Sequence, residues 1–175
     1  MSDELEIRNS LPGDSGAIDS LYSEAFPDEN LLPLVHELLR DDEVCTSLLG
    51  VVTTQIVGHV IFSSCGIAGS NVNAALLGPL AVASAWQRQG IGSGLVRAGL
   101  QRLREMDVSL VCVLGDPAYY KRLGFLPESL LEPPYRLPPE YDGAWQSRRL
   151  GDVTALSPGK LSVPRQWLQP ALWLP

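Results

Sequence analysis

The stretch Leu80–Leu95, LAVASAWQRQGIGSGL, leaves this chain few folding options. It passes from a short apolar strand through a polar turn into a glycine-rich loop that opens a helix. Leu95, Gly99, Leu103 and Met106 then recur at helical spacing, with Arg97, Gln101, Arg102 and Arg104 mostly on other faces. Val108–Leu114, VSLVCVL, follows as a continuous apolar run of the kind buried on both faces in a parallel strand. Strand, helix and strand in that order predict a right-handed crossover and an α/β fold.

The loop carries chemistry of its own. Gly90, Gly92 and Gly94 alternate along it, and Arg88 stands just ahead of them. Glycine has no Cβ to block approach, so several backbone N–H groups can point into one small volume. At a helix start those groups are unpaired and the helix dipole favours negative charge, which suits a phosphate or pyrophosphate. Two common phosphate loops fail the test of the letters: no Gly-Lys-Ser/Thr follows, and the third glycine of G-x-G-x-x-G would fall on Leu95. Q-x-x-G-x-G fits instead, as Gln87, Gly90 and Gly92.

The rest of the chain fills in around this unit. Leu5–Arg8 alternates as a first strand, and Asp14 or Ser15 is placed to cap a helix with Ile18, Leu21, Tyr22 and Ala25 on one face. A second helix carries Leu31, Leu34, Val35, Leu38 and Leu39 and ends near Asp41. Cys45–Thr53 and Ile56–Ser63, rich in Val, Ile and Thr and separated by Thr54-Gln55, predict a β-hairpin. Ala74–Val82 reads as a strand with Gly78-Pro79 in its middle, which calls for a bulge because proline donates no ladder bond. Gly115-Asp116-Pro117 gives an N-cap and a proline at the first helical position of a short helix bearing Tyr119, Tyr120 and Leu123. Pro127–Glu140 is expected to be mostly loop, with a returning strand in Tyr141–Leu150.

The Q-x-x-G-x-G loop, a few residues after an L-A-V strand end, resembles the acetyl-CoA loop of the GNAT superfamily of N-acetyltransferases. A second signature of that family is a tyrosine four residues before Gly-Phe on a short helix. Tyr120, Gly124 and Phe125 match it in DPAYYKRLGF. With the order β-α-α-β-β-β-α-β-α-β, the resemblance covers roughly residues 5 to 150 and is that of a bacterial-type, single-domain member. It implies a GNAT fold: a mixed, twisted sheet with helices on both faces and splayed central parallel strands. Residues 1–150 would form the acetyltransferase domain. Residues 151–175, with Trp167 and Trp173, would be an extension packed on the same domain or on a second subunit.

The resemblance further implies transfer of an acetyl group from acetyl-CoA to a primary amine of a small molecule or peptide, by direct attack in a ternary complex. Leu80, Ala81 and Val82 would pair with the pantetheine arm, Gln87, Arg88, Gln89, Gly90, Ile91, Gly92 and Ser93 would hold the pyrophosphate, and Tyr120 would contact the cosubstrate and act as the general acid. The region between the first two helices helps wall the acceptor site in this family, which makes Tyr22, Glu24, Asp28 and Glu29 candidates for a cationic substrate. Two departures matter. Where many members place an asparagine seven residues before the tyrosine, this chain has Val113. Where many have a glutamate base on the bulged strand, Ala74–Val82 has no ionisable residue. The base is unassigned, and a catalytically degenerate CoA-binding sensor or interaction module is the alternative reading.

Composition narrows the rest. At 175 residues, 45% hydrophobic and 19% charged, the chain is one globular domain's worth of sequence. No apolar run approaches a membrane span, and MSDELEIRNS lacks the features of a signal peptide. A net charge of −7 argues against a nucleic-acid partner and leans toward a cationic substrate. Cys45, Cys65 and Cys112 have no metal-ligand spacing and no activating partner, so they read as reduced core thiols of a cytoplasmic protein that needs no metal. His59 and His36 read first as structural histidines, although His59 has a pKa suited to taking a proton from an amine. The acceptor's identity is not legible in the sequence, and a monomer and a homodimer both fit it.

Overall fold

The computed structural model describes residues 4–154 and 156–174. Two compact units divide these residues: one comprises the chain through Phe62 together with Gly78–Gly99, the other Ser63–Leu77 and the chain from Leu100 onward. Strands of both orientations alternate with helices, so the chain is α/β with a mixed sheet.

In the first unit the strand order is β1 (Glu6–Asn9), β2 (Cys45–Val52), β3 (Gln55–Ile67, through Phe62), then the end of β4 (Ala74–Val82). β1 runs antiparallel to β2, with Glu6 opposite Val51 and Asn9 opposite Leu48. The β2–β3 turn is Thr53-Thr54, one residue earlier than the sequence predicts, and both threonines have positive φ. Three helices cover this part of the sheet: α1 (Ser15–Ala25), α2 (Leu32–Leu39) and α3 (Ile91–Glu105, through Gly99). The alternation of β3 explains how. A side chain at Gly58 would run into Ile91 and Leu95 of α3, whereas the next residue, His59, bonds Tyr22 of α1. Adjacent strand residues face opposite sides, so α3 lies on one face of this sheet and α1 on the other.

The expected cap of α1 is corrected by the structure. Asp14 makes no side-chain cap; its carboxylate takes both guanidinium nitrogens of Arg8, at 2.8 and 3.0 Å, and the N–H of Leu11 at 2.7 Å. A bidentate arginine outcompetes a single backbone donor. Met106 also departs from the helical stripe. It lies beyond α3 and is exposed, while Leu95 and Leu103 are buried.

Within α3 the close approach to β3 rests on Gly99, where a Cβ would overlap the ring of the fully buried Phe62. Gly99→Val is therefore expected to destabilise the protein by roughly 1–3 kcal/mol, the usual cost of overpacking a core. Thermal unfolding followed by circular dichroism measures this, and a Tm at or above the parent's would show that the ring can yield.

In the second unit the start of β4 pairs in parallel with β5 (Leu110–Leu114), which in turn pairs antiparallel with β8 (Trp145–Arg149), with Leu114 opposite Trp145. The short β6 (Leu126–Pro127) lies antiparallel beside β8. The β4–β5 ladder comprises Ala74, Ala75 and Leu76 against Leu110, Val111 and Cys112, and ends before the cis Gly78-Pro79 peptide. A short helix, α4 (Pro117–Lys121), follows β5, with Asp116 accepting from the N–H of Ala118 at 3.0 Å as N-cap.

The tail belongs to this unit. β9 (Gly159–Ser162) pairs with the end of β3 and with β7 (Leu131–Glu132). The Trp167 indole donates to Ser63 Oγ at 3.1 Å, and the Trp173 indole to the Trp167 carbonyl at 3.0 Å. Among the described residues no helix is long and apolar enough to cross a membrane.

Candidate active site

The glycine-rich loop is shaped by amides that fold back on it. After Val82 the chain turns through Ser84–Trp86, and Gln87 Nε2 donates to the Val82 carbonyl at 3.1 Å. Gln89 Nε2 does the same to Ala85 at 3.1 Å. Arg88 and Gly90 take positive φ of 65° and 83°, and α3 begins at Ile91. In the first turn of α3 the N–H of Gly94 bonds the Gly90 carbonyl, at 2.9 Å. The N–H groups of Ile91, Gly92 and Ser93 precede it, where a helix leaves donors without helical partners. These three residues are buried, whereas Arg88, Gln89 and Gly90 are exposed. An anion fits such donors, so the residues present suit a pyrophosphate.

Glu24 serves this same segment rather than a cavity. Its Oε1 accepts from the N–H of Ser84 at 2.9 Å, tying α1 to the chain just past β4. The other candidates at the α1–α2 junction surround a cavity of about 320 Å³ lined by Tyr22, Ser23, Phe26–Asn30, Leu31 and Leu32. Asp28 and Glu29 are on its wall, and among the described residues that line it none is basic. The third candidate, Tyr22, is 2% exposed, and its ring stacks at 6.1 Å on Phe26.

The hydroxyl of Tyr22 points away from solvent, to His59. Tyr22 Oη lies 2.8 Å from His59 Nδ1, Ser47 Oγ lies 2.7 Å from His59 Nε2, and Ser10 Oγ lies 2.7 Å from Ser47 Oγ. Burial lowers the His59 pKa to about 4 and raises that of Tyr22 far above the phenolic range, so both are neutral at pH 7. His59 was a candidate in the sequence. Ser47 was not, because only the seating of β2 on β3 brings it to the ring. His36, the other histidine, pairs with Asp19 on the surface at 2.7 Å.

In the second unit Tyr120 is held by aromatic neighbours. Its ring meets those of Tyr119 at 4.9 Å and Phe125 at 5.6 Å edge-on, and a Cβ at Gly115 would stand 2.5 Å from it. Burial pushes its pKa well above the ordinary phenolic value, with Tyr119 and Asp116 adding smaller contributions in the same direction. The neighbouring Tyr119 is overlaid by the Arg122 guanidinium at 5.6 Å. Val113 is buried within β5, so its position offers no side-chain donor. Burial pushes the Cys45 and Cys65 thiols up to about 11 and about 12 and Cys112 higher still, which disfavours a thiolate nucleophile. Among the described residues no group of His, Cys, Asp and Glu is arranged to hold a metal ion.

Known proteins resemble this chain in sequence and fold. The model of the acetyltransferase (GNAT) family matches residues 16–125. YhbS of Escherichia coli K12, named an uncharacterized N-acetyltransferase, is 38% identical over 123 residues, 68% of this chain and 72% of its own. YjhQ of the same strain, also named an N-acetyltransferase, is 33% identical over 144 residues, 78% of this chain and 80% of its own. The crystal structure of YhbS in complex with CoA superposes with a TM-score of 0.82 at 29% identity, covering 97% of this chain and 94% of that one. A GNAT acetyltransferase from Brucella melitensis in complex with acetyl-CoA gives 0.75 at 27% identity, covering 95% and 99%. The chain belongs to the GNAT family of acetyltransferases and has its fold.

Proposed function

We propose that this chain transfers the acetyl group of acetyl-CoA to a primary amine of a small molecule or peptide. The observation that carries this reading is the loop Gln87–Ser93, whose stapled turn presents backbone donors at the start of α3. The crystallised relatives bind CoA or acetyl-CoA, which supports the same cosubstrate here. Ile91, Gly92 and Ser93 donate to the pyrophosphate, with Gln87, Arg88, Gln89 and Gly90 shaping its approach. The backbone of Leu80, Ala81 and Val82, past the end of the β4–β5 ladder, serves the amides of the pantetheine arm.

The amine occupies the cavity between α1 and α2, where Asp28 and Glu29 favour a cation. Its nitrogen forms a bond to the thioester carbonyl carbon, the C–S bond breaks, and the leaving sulfur takes a hydrogen bond from Tyr120 while solvent supplies its proton. Holding amine and thioester in line supplies much of the acceleration in such direct transfers. A panel of amines, followed by free thiol released from acetyl-CoA, tests the reading; no release with any amine would leave the chain a CoA-binding module. The absence of an ionisable residue from Ala74–Val82 favours that second reading.

The acidic wall makes its own prediction. Asp28→Asn with Glu29→Gln is expected to raise the KM of a cationic acceptor about threefold to tenfold, the range for two solvent-exposed ion pairs. The salt dependence of KM should weaken with it. An unchanged KM with unchanged salt dependence would move the amine elsewhere.

A further inference from the structure

Tyr120, proposed above as the donor to the leaving sulfur, stands on a helix that cannot hold itself. α4 has five residues, and a helix that short is unstable without tertiary contacts. The contacts come from β8. Successive side chains of a strand point to opposite faces, and β8 divides its work accordingly. On one face Trp145 meets Trp173, while Ser147 and Arg149 bond the Glu128 carboxylate. Gln146 and Arg148 point the other way and reach the two ends of the segment that carries Tyr120.

At the entry, the fully buried Gln146 donates from Nε2 to the carbonyls of Gly115 and Ala144, at 3.1 and 3.3 Å. The Gly115 N–H bonds the Ala144 carbonyl at 2.9 Å, and it is against Gly115 that the Tyr120 ring lies. At the exit, Arg148 Nη1 donates to the Leu123 carbonyl at 2.8 Å, a charge-assisted bond. Its guanidinium crosses Gly124, whose φ is 86° and where a Cβ would stand 3.2 Å from Arg148 Nε. The N–H groups of Leu123 and Phe125 both return to the Tyr120 carbonyl, at 2.9 and 3.1 Å. The turn that Arg148 holds is therefore the one that closes on Tyr120. We propose that Gln146 and Arg148 are positioning residues for the transfer, setting the place of the Tyr120 hydroxyl by clamping both ends of its segment. The hydroxyl lies at the far end of the ring, so a small tilt of α4 displaces it most. A hydrogen bond weakens steeply as its geometry opens, and a misplacement of about 1 Å can cost up to about 10² in rate.

The proposal rests on the acetyltransferase reading and on Tyr120 as donor, and a double-mutant cycle separates it from both. Arg148→Met keeps the stem and removes the donors. With acetyl transfer established as rate-limiting, it is expected to lower kcat about tenfold, inside the range for such a displacement, while acetyl-CoA affinity holds. Introduced into Tyr120→Phe, the same substitution should cost about twofold or less, because the hydroxyl it places is gone. Arg148→Lys, which keeps a cationic donor, should recover most of the lost rate. Gln146→Met should repeat the pattern from the other end, and it carries the test should Arg148→Met fail to fold. If Tyr120→Phe is slow and either Met variant keeps the parent rate, the clamp alone is overturned. Equal losses in the parent and in the Tyr120→Phe background would make Gln146 and Arg148 merely structural and also overturn it. A Tyr120→Phe variant at the parent rate removes the donor and the clamp while acetyl transfer stands. A parent that releases no thiol with any amine removes all three.

Discussion

Tyr120→Phe should slow acetyl transfer by a factor on the order of 10²–10³ in kcat, with acetyl-CoA binding little changed. The substitution leaves the ring against Gly115, Tyr119 and Phe125 and deletes only the hydroxyl. Burial raises the Tyr120 pKa, so the group keeps its proton across pH 6–9 and its ionisation imposes no pH dependence there. The raised value also fixes the manner of donation. An ordinary phenol near 10 is already a weaker acid than a thiol near 8.5, and burial widens the difference. Full transfer to a free thiolate is therefore uphill. In the proposed transfer the gain would come from an O–H to sulfur hydrogen bond that strengthens as charge builds during C–S cleavage, with solvent completing the protonation of CoA. Stopped-flow turnover, with chemistry shown to be the slow step, measures the effect. A Phe variant turning over at the parent rate would assign the leaving group to another donor.

Gly92→Val is expected to weaken acetyl-CoA by about 10²-fold or more while the protein stays folded. Gly92 is buried in the first turn of α3, ahead of the N–H of Gly94 that bonds the Gly90 carbonyl. A branched side chain there takes space at the donors proposed to hold the pyrophosphate. Hydrogen bonds to a charged group contribute roughly 1.5–3 kcal/mol each, and two of them lost amount to a factor of 10² or more at about 1.4 kcal/mol per tenfold. Calorimetric titration with CoA gives the affinity directly, and the ligand-induced rise in Tm should shrink in step. Parent-like affinity in a folded variant would remove the loop from the cosubstrate site.

What could be read from the sequence was local. The loop and α3 were legible because three alternating glycines and a helical stripe lie within a few turns of one another. The short helix was legible because Asp116 and Pro117 start it within one turn of Tyr120. The family followed from those two segments and is confirmed by the match to the GNAT family model and by relatives named N-acetyltransferases. What escaped depended on partners distant in the chain. Asp14 looked like a helix cap, but β1 delivers Arg8 to it. Glu24 looked like a substrate carboxylate, but the chain returns sixty residues later to offer it the N–H of Ser84. Ser47 carried no signal, because its place beside His59 depends on how β2 seats on β3. The turn at Thr53-Thr54 was displaced by one residue, since two consecutive positive φ angles are expected of Gly or Asn rather than Thr. The tail has no period because its order comes from indole N–H bonds and ring contacts.

That tail has a consequence for the way the protein is made. Synthesis is vectorial, and domains tend to fold as their residues leave the ribosome. The first unit has all of its chain once Gly99 has emerged. The second cannot finish until Trp167 has reached back to Ser63 and Trp173 has settled 5.9 Å from the Trp145 ring. A nascent chain arrested at residue 150 would thus carry a complete glycine-rich loop and an uncovered Trp145. Burying a large side chain such as Trp173 contributes roughly 1.5–3 kcal/mol, so translation of the final turns converts an unfinished second half into a closed one. Indole fluorescence of ribosome-bound chains of increasing length would record that moment as a blue shift appearing only after residue 173 clears the exit tunnel.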